Sequence, residues 1–114
     1  MNYNEKRAHS RVSKRIKIGL SEDSLVLETE TKNISVSGIN CQVSRDIPIM
    51  TRLKIQLKLP LETATRAVNC SGVVVRCVPM AAEGQKSIYN VAIFIDDINE
   101  SHREVLKAFV ASNK

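Results

Sequence analysis

The sequence predicts a mostly β domain: a small six-stranded antiparallel β-barrel with a C-terminal α-helix and a flexible basic arm ahead of it. Three observations predict it. Six stretches read as strands, the clearest alternating apolar and polar residues without a fault over eight positions. The connections between them are short enough only for antiparallel neighbours. One amphipathic stretch with a start signal follows the last strand. At 114 residues and 43% apolar, the chain supports one core, divided into an arm over residues 1–14 and a barrel over 15–114.

Ile16, Ile18 and Leu20 alternate with Arg15, Lys17 and Gly19 as the first strand. The polar tetrad Ser21-Glu-Asp-Ser24 turns the chain into a second strand over 25–31, and the two pair as a hairpin. A polar turn, Asn33-Ile-Ser-Val-Ser-Gly38, leads into a third strand over 38–43 whose Ile39, Cys41 and Val43 point into a core. In the fourth strand Leu53, Ile55, Leu57 and Leu59 face one way and Arg52, Lys54, Gln56 and Lys58 the other, a solvated face. The fifth runs over 67–78, with Gly72 marking a bulge or a barrel corner and Pro79 ending it before a loop over 80–86. The sixth runs over 88–95 with Tyr89, Val91, Ile93 and Ile95 on one face. Asp96 and Asp97 read as a turn, because strand neighbours face opposite ways and cannot act as an acid–base pair. Ser101 and Glu104 have capping-box spacing, so a helix is expected over about 101–112, docked through Val105, Leu106, Phe109 and Val110.

Charge is concentrated at one end. Residues 1–17 hold Lys6, Arg7, Arg11, Lys14, Arg15 and Lys17 against the single acid Glu5, which accounts for the whole net charge of +5. A basic terminal segment ahead of any apolar periodicity meets an anionic partner or is simply solvated. Cys41, Cys70 and Cys77 have no C-x-x-C spacing and read as small buried residues in a reducing compartment. His9 and His102 belong to no metal-ligand spacing, so neither a metal nor a cofactor is expected. No apolar run reaches the roughly 18–20 residues of a membrane span, nor does a signal peptide begin the chain, and a soluble cytoplasmic domain is expected.

Within the arm, Arg7 and Arg11 stand four residues apart, each a planar fork able to grip a phosphate or the O6/N7 edge of guanine. Arg11 and Arg15 share that spacing, but Arg15 alternates with Ile16 and Ile18 and looks like strand, which favours the first pair. About two dozen residues on, Asn33, Ser35, Ser37 and Gly38 gather a carboxamide, two hydroxyls and an open backbone at the mouth of a strand. The hairpin brings the two groups together, since the arm enters at the start of one strand and the Asn33 turn lies at the end of its partner. Arginines at this spacing, followed by Asn-x-Ser-x-x-Gly, resemble the PilZ domain family, whose pattern is RxxxR and then Asp/Asn-x-Ser-x-x-Gly. Arg7 and Arg11 match the first motif, and Asn33, Ser35 and Gly38 the second. Asn33 keeps the planar polar group of the commoner Asp without its charge.

The resemblance implies a receptor for the bacterial second messenger cyclic di-GMP. Arg7 and Arg11 would clamp guanine edges and phosphates, Asn33 and Ser35 would meet the ligand on the barrel, and Gly38 would leave room for it. Lys6, Arg15 and Ser37 are possible additions to that site. Binding would order the arm and signal to a protein partner. Two other readings stand beside this one. A protein-interaction domain of the same fold would lack the ligand. A nucleic-acid-binding barrel would need exposed aromatics, whereas there are two Tyr, two Phe and no Trp, and Tyr89, Phe94 and Phe109 read as core. No Ser-His-Asp, Cys-His or phosphate-loop constellation points to an enzyme.

Overall fold

The computed structural model describes residues 10–23, 25–80 and 87–113. Six strands, β1 (Lys17–Glu22), β2 (Leu25–Ile34), β3 (Gly38–Val43), β4 (Arg52–Pro60), β5 (Thr65–Met80) and β6 (Ile88–Ile98), precede the helix α1 (Glu100–Ser112). All pairings are antiparallel, and the sheet closes in the order β1-β2-β3-β6-β5-β4. β4 shows why: its four inward residues, Leu53, Ile55, Leu57 and Leu59, are at most 3% exposed, and the intervening Arg52, Lys54, Gln56 and Lys58 face water. Inward residues of all six strands meet in one core, which α1 covers from β5 and β4 through Leu106, Phe109 and Val110.

Three single-residue irregularities break the period-two pattern. In β2 the partners pass from Thr31↔Cys41 to Asn33↔Asn40, so Lys32 is extra. In β6 they pass from Ser71↔Asp97 to Gly72↔Ile95, so Asp96 is extra. In β5 they pass from Val74↔Ile93 to Arg76↔Ala92, so Val75 is extra. One inserted residue moves every following side chain to the other face. Gly72 sits at the second of these, where a Cβ would lie 2.6 Å from the Phe94 carbonyl oxygen.

Several sequence expectations are corrected here. β2 continues through Asn33 to Ile34, so the turn itself is Ser35–Ser37. β5 runs past Pro79, because beyond Val73 it has no β4 neighbour and the missing N–H faces the open flank. Asp96 and Asp97 belong to β6 rather than to a turn; the bulge absorbs Asp96, whose carboxylate takes both ends of the Arg52 guanidinium at 2.6 and 2.9 Å. Asn99, not Ser101, caps α1, its Oδ1 accepting from the His102 N–H at 2.8 Å, and Glu104 turns instead to Lys107. Phe94 is 49% exposed and is not a core residue. The expected loop at 80–86 lies, after Met80, outside the described residues.

Candidate functional site

The segment entering β1 is tied to β2 by its backbone. Val12 and Ile34 exchange hydrogen bonds at 2.8 and 3.0 Å, and the Val12 side chain is 2% exposed. Further along, the buried Thr31 hydroxyl donates to the Lys14 carbonyl at 2.7 Å and accepts from the Ile16 N–H at 3.0 Å. The Thr31 N–H in turn donates to the Ile16 carbonyl at 2.9 Å. These bonds fix where Arg11 emerges.

Its guanidinium crosses to the barrel. Nη1 donates to Asn33 Oδ1 at 2.7 Å, while Nη2 lies over Gly38, 3.1 Å from where a Cβ would stand. The backbone carbonyl of Ile93 lies 3.2 Å from the same point, so any side chain at position 38 would press on both. Asn33 faces outward only because Lys32 is bulged: Thr31 and Ile34 are both buried, and with Lys32 paired in regular alternation Asn33 would share the Thr31 face. Among the described residues no carboxylate pairs with Arg11, so its charge is held by a neutral amide and stays available to an anion.

Ser35 is turned inward, at 1% exposure. Its Oγ accepts the N–H groups of Gly38 at 3.1 Å and Ser37 at 3.2 Å, and its own N–H donates to the Gly38 carbonyl at 2.9 Å. The Ser37 carbonyl accepts from the Ile95 N–H at 2.9 Å, which anchors the turn to β6. In this conformation the Ser35 hydroxyl closes the turn that presents Gly38.

The structure therefore brings together Arg11, Asn33, Ser35, Ser37 and Gly38. Arg15 goes elsewhere: its exposed side chain lies 3.8 Å from Glu30 on β2. Lys6 and Arg7 lie outside the described residues. Phe94, which sequence reasoning assigned to the core, stands across from Gly38 on β6. The strand phase that buries Ile93 and Ile95 was the signal that places it outside. A cavity of about 640 Å³ over Gly19 is lined by none of these residues; Glu28, Lys54 and Asp97 line it with mixed charge. Among the described residues no cluster of His, Cys, Asp and Glu could hold a metal ion.

Fold and site together define a small closed antiparallel β-barrel with a basic N-terminal segment laid across a polar turn between two strands. The chain belongs to the PilZ domain family, whose model matches residues 5–112. No curated protein matches the sequence. Among solved structures, the Bacillus subtilis inhibitor of motility, MotI/DgrA, superposes with a TM-score of 0.79 at 19% identity, over 94% of this chain and 50% of its own. The chain thus spans about half the length of that protein. The PilZ domain of Escherichia coli YcgR, solved with c-di-GMP, gives 0.69 at 11% identity over 95% and 91%. Borreliella burgdorferi PlzA, solved in complex with c-di-GMP, gives 0.63 at 12% identity over 98% and 56%. At these identities the likeness is one of fold.

Proposed function

We propose that this chain is a cytoplasmic receptor domain for cyclic di-GMP, working by binding rather than catalysis. The observation that carries the reading is the Arg11 guanidinium, unpaired with any described carboxylate, hydrogen-bonded to Asn33 and laid over Gly38. These are the motif positions of a family in which YcgR and PlzA have been solved with this dinucleotide. Arg11 grips a phosphate or a guanine edge with two parallel hydrogen bonds, and Arg7 supplies the second fork from the arm. Asn33 offers its Nδ2 donors to a guanine acceptor while its Oδ1 steadies Arg11. Gly38 lets the ligand lie close to the barrel, and Ser35 holds Gly38 in place.

Ordering a backbone costs about 1–2 kcal/mol per residue. For residues 12–16 the bonds to Ile34 and Thr31 already meet that cost, so binding energy at Arg11 goes to the ligand. The ligand-ordered arm presents a changed surface to a protein partner. Calorimetric titration with cyclic di-GMP, beside cyclic di-AMP as a control lacking the guanine O6 acceptor, tests the reading. Saturable binding of the guanine form that disappears in Arg7→Ala and Arg11→Ala is expected. Equal binding by the two dinucleotides, or affinity untouched in both variants, would refute it.

A further inference from the structure

The surface that carries Arg11 continues across three more strands. The register sets Asn33, Asn40, Ala92 and Arg76 in one row over β2, β3, β6 and β5. At the usual strand spacing the row is about 14 Å from end to end. Phe94 stands beside this row, directly across from Gly38, half-exposed in an outward position. Facing pairs on one side of an antiparallel ladder are near neighbours, so the ring borders the ground over which Arg11 lies.

Three features of this face remain unexplained by the barrel. The Phe94 ring is exposed to water without a core role. Arg76 pairs with no carboxylate among the described residues, and it faces outward only because Val75 is bulged, Val74 before it being fully buried. The Oδ1 atoms of Asn40 and Asn90 are buried without a hydrogen-bond partner, a costly state. Ala92, with its short side chain, lies between Asn40 and Arg76 in the register. A ring face, a guanidinium and two carboxamides are the set that reads a nucleobase: stacking, charge and edge donors with acceptors. The dinucleotide has two guanines, and the receptor reading above gives Asn33 to one of them.

We infer that the outer face of β6 and β5 receives the second guanine, with Phe94 as its stacking platform and Arg76 meeting its edge or the adjoining phosphate. The inference rests on the receptor reading above and deepens it: Phe94 and Arg76 become specificity-determining residues outside both motifs. It also accounts for an exposed aromatic at the one place where Gly38 leaves the neighbouring strand without a side chain.

The test is calorimetry with cyclic di-GMP on the unsubstituted chain and on Arg11→Ala, Phe94→Ala, Arg76→Ala and Phe94→Trp, each checked for fold by circular dichroism. Loss of a base stack weakens binding roughly 5- to 150-fold, the effect expected of Phe94→Ala. Loss of a charge-assisted contact makes Arg76→Ala weaker by about tenfold or more. Phe94→Trp keeps the affinity and, in a chain with no other Trp, its indole emission shifts as ligand is added. If the unsubstituted chain binds, Arg11→Ala does not, and Phe94→Ala binds as tightly as the unsubstituted chain, the inference is overturned while the receptor reading stands. If the unsubstituted chain fails to bind, both fall.

Discussion

Replacing Ser35 by alanine separates a residue that builds the site from one that merely touches a ligand. The substitution removes one oxygen that accepts two backbone N–H groups, from Gly38 at 3.1 Å and Ser37 at 3.2 Å. The Gly38 N–H is buried, and a buried donor left unpaired costs about 1–3 kcal/mol. The Ser37 N–H is only partly buried, so water recovers most of its loss. The sum is about 2 kcal/mol, a large share of the roughly 5–15 kcal/mol that holds a domain together. For a domain near this size it corresponds to a fall in Tm of roughly 8–16 °C. Urea denaturation without added ligand measures it, with an unchanged slope showing that the same surface unfolds. A surface hydroxyl reserved for ligand would move stability by no more than about 0.5 kcal/mol. An unfolding midpoint equal to that of the unsubstituted chain would therefore refute the turn-closing role and return Ser35 to the ligand.

Val12→Ala deletes two buried methyl groups at the tie between the entering segment and β2. A loss of about 1.5–2.5 kcal/mol in urea denaturation is expected, together with weaker dinucleotide binding in calorimetry because Arg11 loses its fixed exit. Gly72→Ala sets a Cβ 2.6 Å from the Phe94 carbonyl oxygen, a backbone atom that cannot step aside, so destabilisation of about 3 kcal/mol or more is expected from the same measurement. Burial pushes the Cys41 and Cys70 thiols from an ordinary value of 9.0 up to about 12. Both are held protonated in the fold, so above about pH 9 the unfolded chain binds fewer protons than the folded one. Their contribution is full below that pH and is lost as pH rises toward about 12; denaturation midpoints should fall across that window, and less so in Cys41→Ala/Cys70→Ala. In a thiol-modification assay at pH 8, the half-buried Cys77 should react before either of the others.

Period two made the barrel legible. The four leucine and isoleucine residues of β4 define its inward face, and the limits of β3 follow from Gly38 and the apolar alternation after it. The meeting of Arg11 with Asn33 was also legible, since a hairpin places the start of β1 beside the end of β2. What escaped were events that interrupt the period. Neither Lys32 nor Val75 announces a bulge, because a bulged residue needs only a tolerant backbone and an exposed side chain. Pro79 stops a strand only where its missing N–H would face a neighbour, and β4 has already ended there. Asn99 and Ser101 are both good caps, and the choice between them depends on how far β6 runs. For Phe94, apolar character argued for the core and strand phase against it; phase decided, because a closed barrel leaves a side chain no other place on that strand.

Around Arg11 the strands are paired on both sides and leave no free edge, so what this part of the barrel offers outward is side chains. Simple alternation supplies such side chains wherever the sequence is polar, but it cannot change the face of one residue while its neighbours stay in the core. The bulges at Lys32 and Val75 do that. Before Lys32 the buried residue is Thr31, which pins the entering segment; after it the buried residue is Ile34, and Asn33 is turned out to meet Arg11. Before Val75 the buried residue is Val74; after it Arg76 is turned out, opposite Ala92. Were Lys32 kept in the ladder instead of bulged, strict alternation along the same sequence would carry Asn33 into the core while expelling Ile34, which is fully buried. The hydrophobic core would resist that exchange, and the same resistance fixes Asn33 on the outside. Position at this site is therefore set by apolar residues that never touch a ligand, with the bulge converting core register into the direction of a polar side chain.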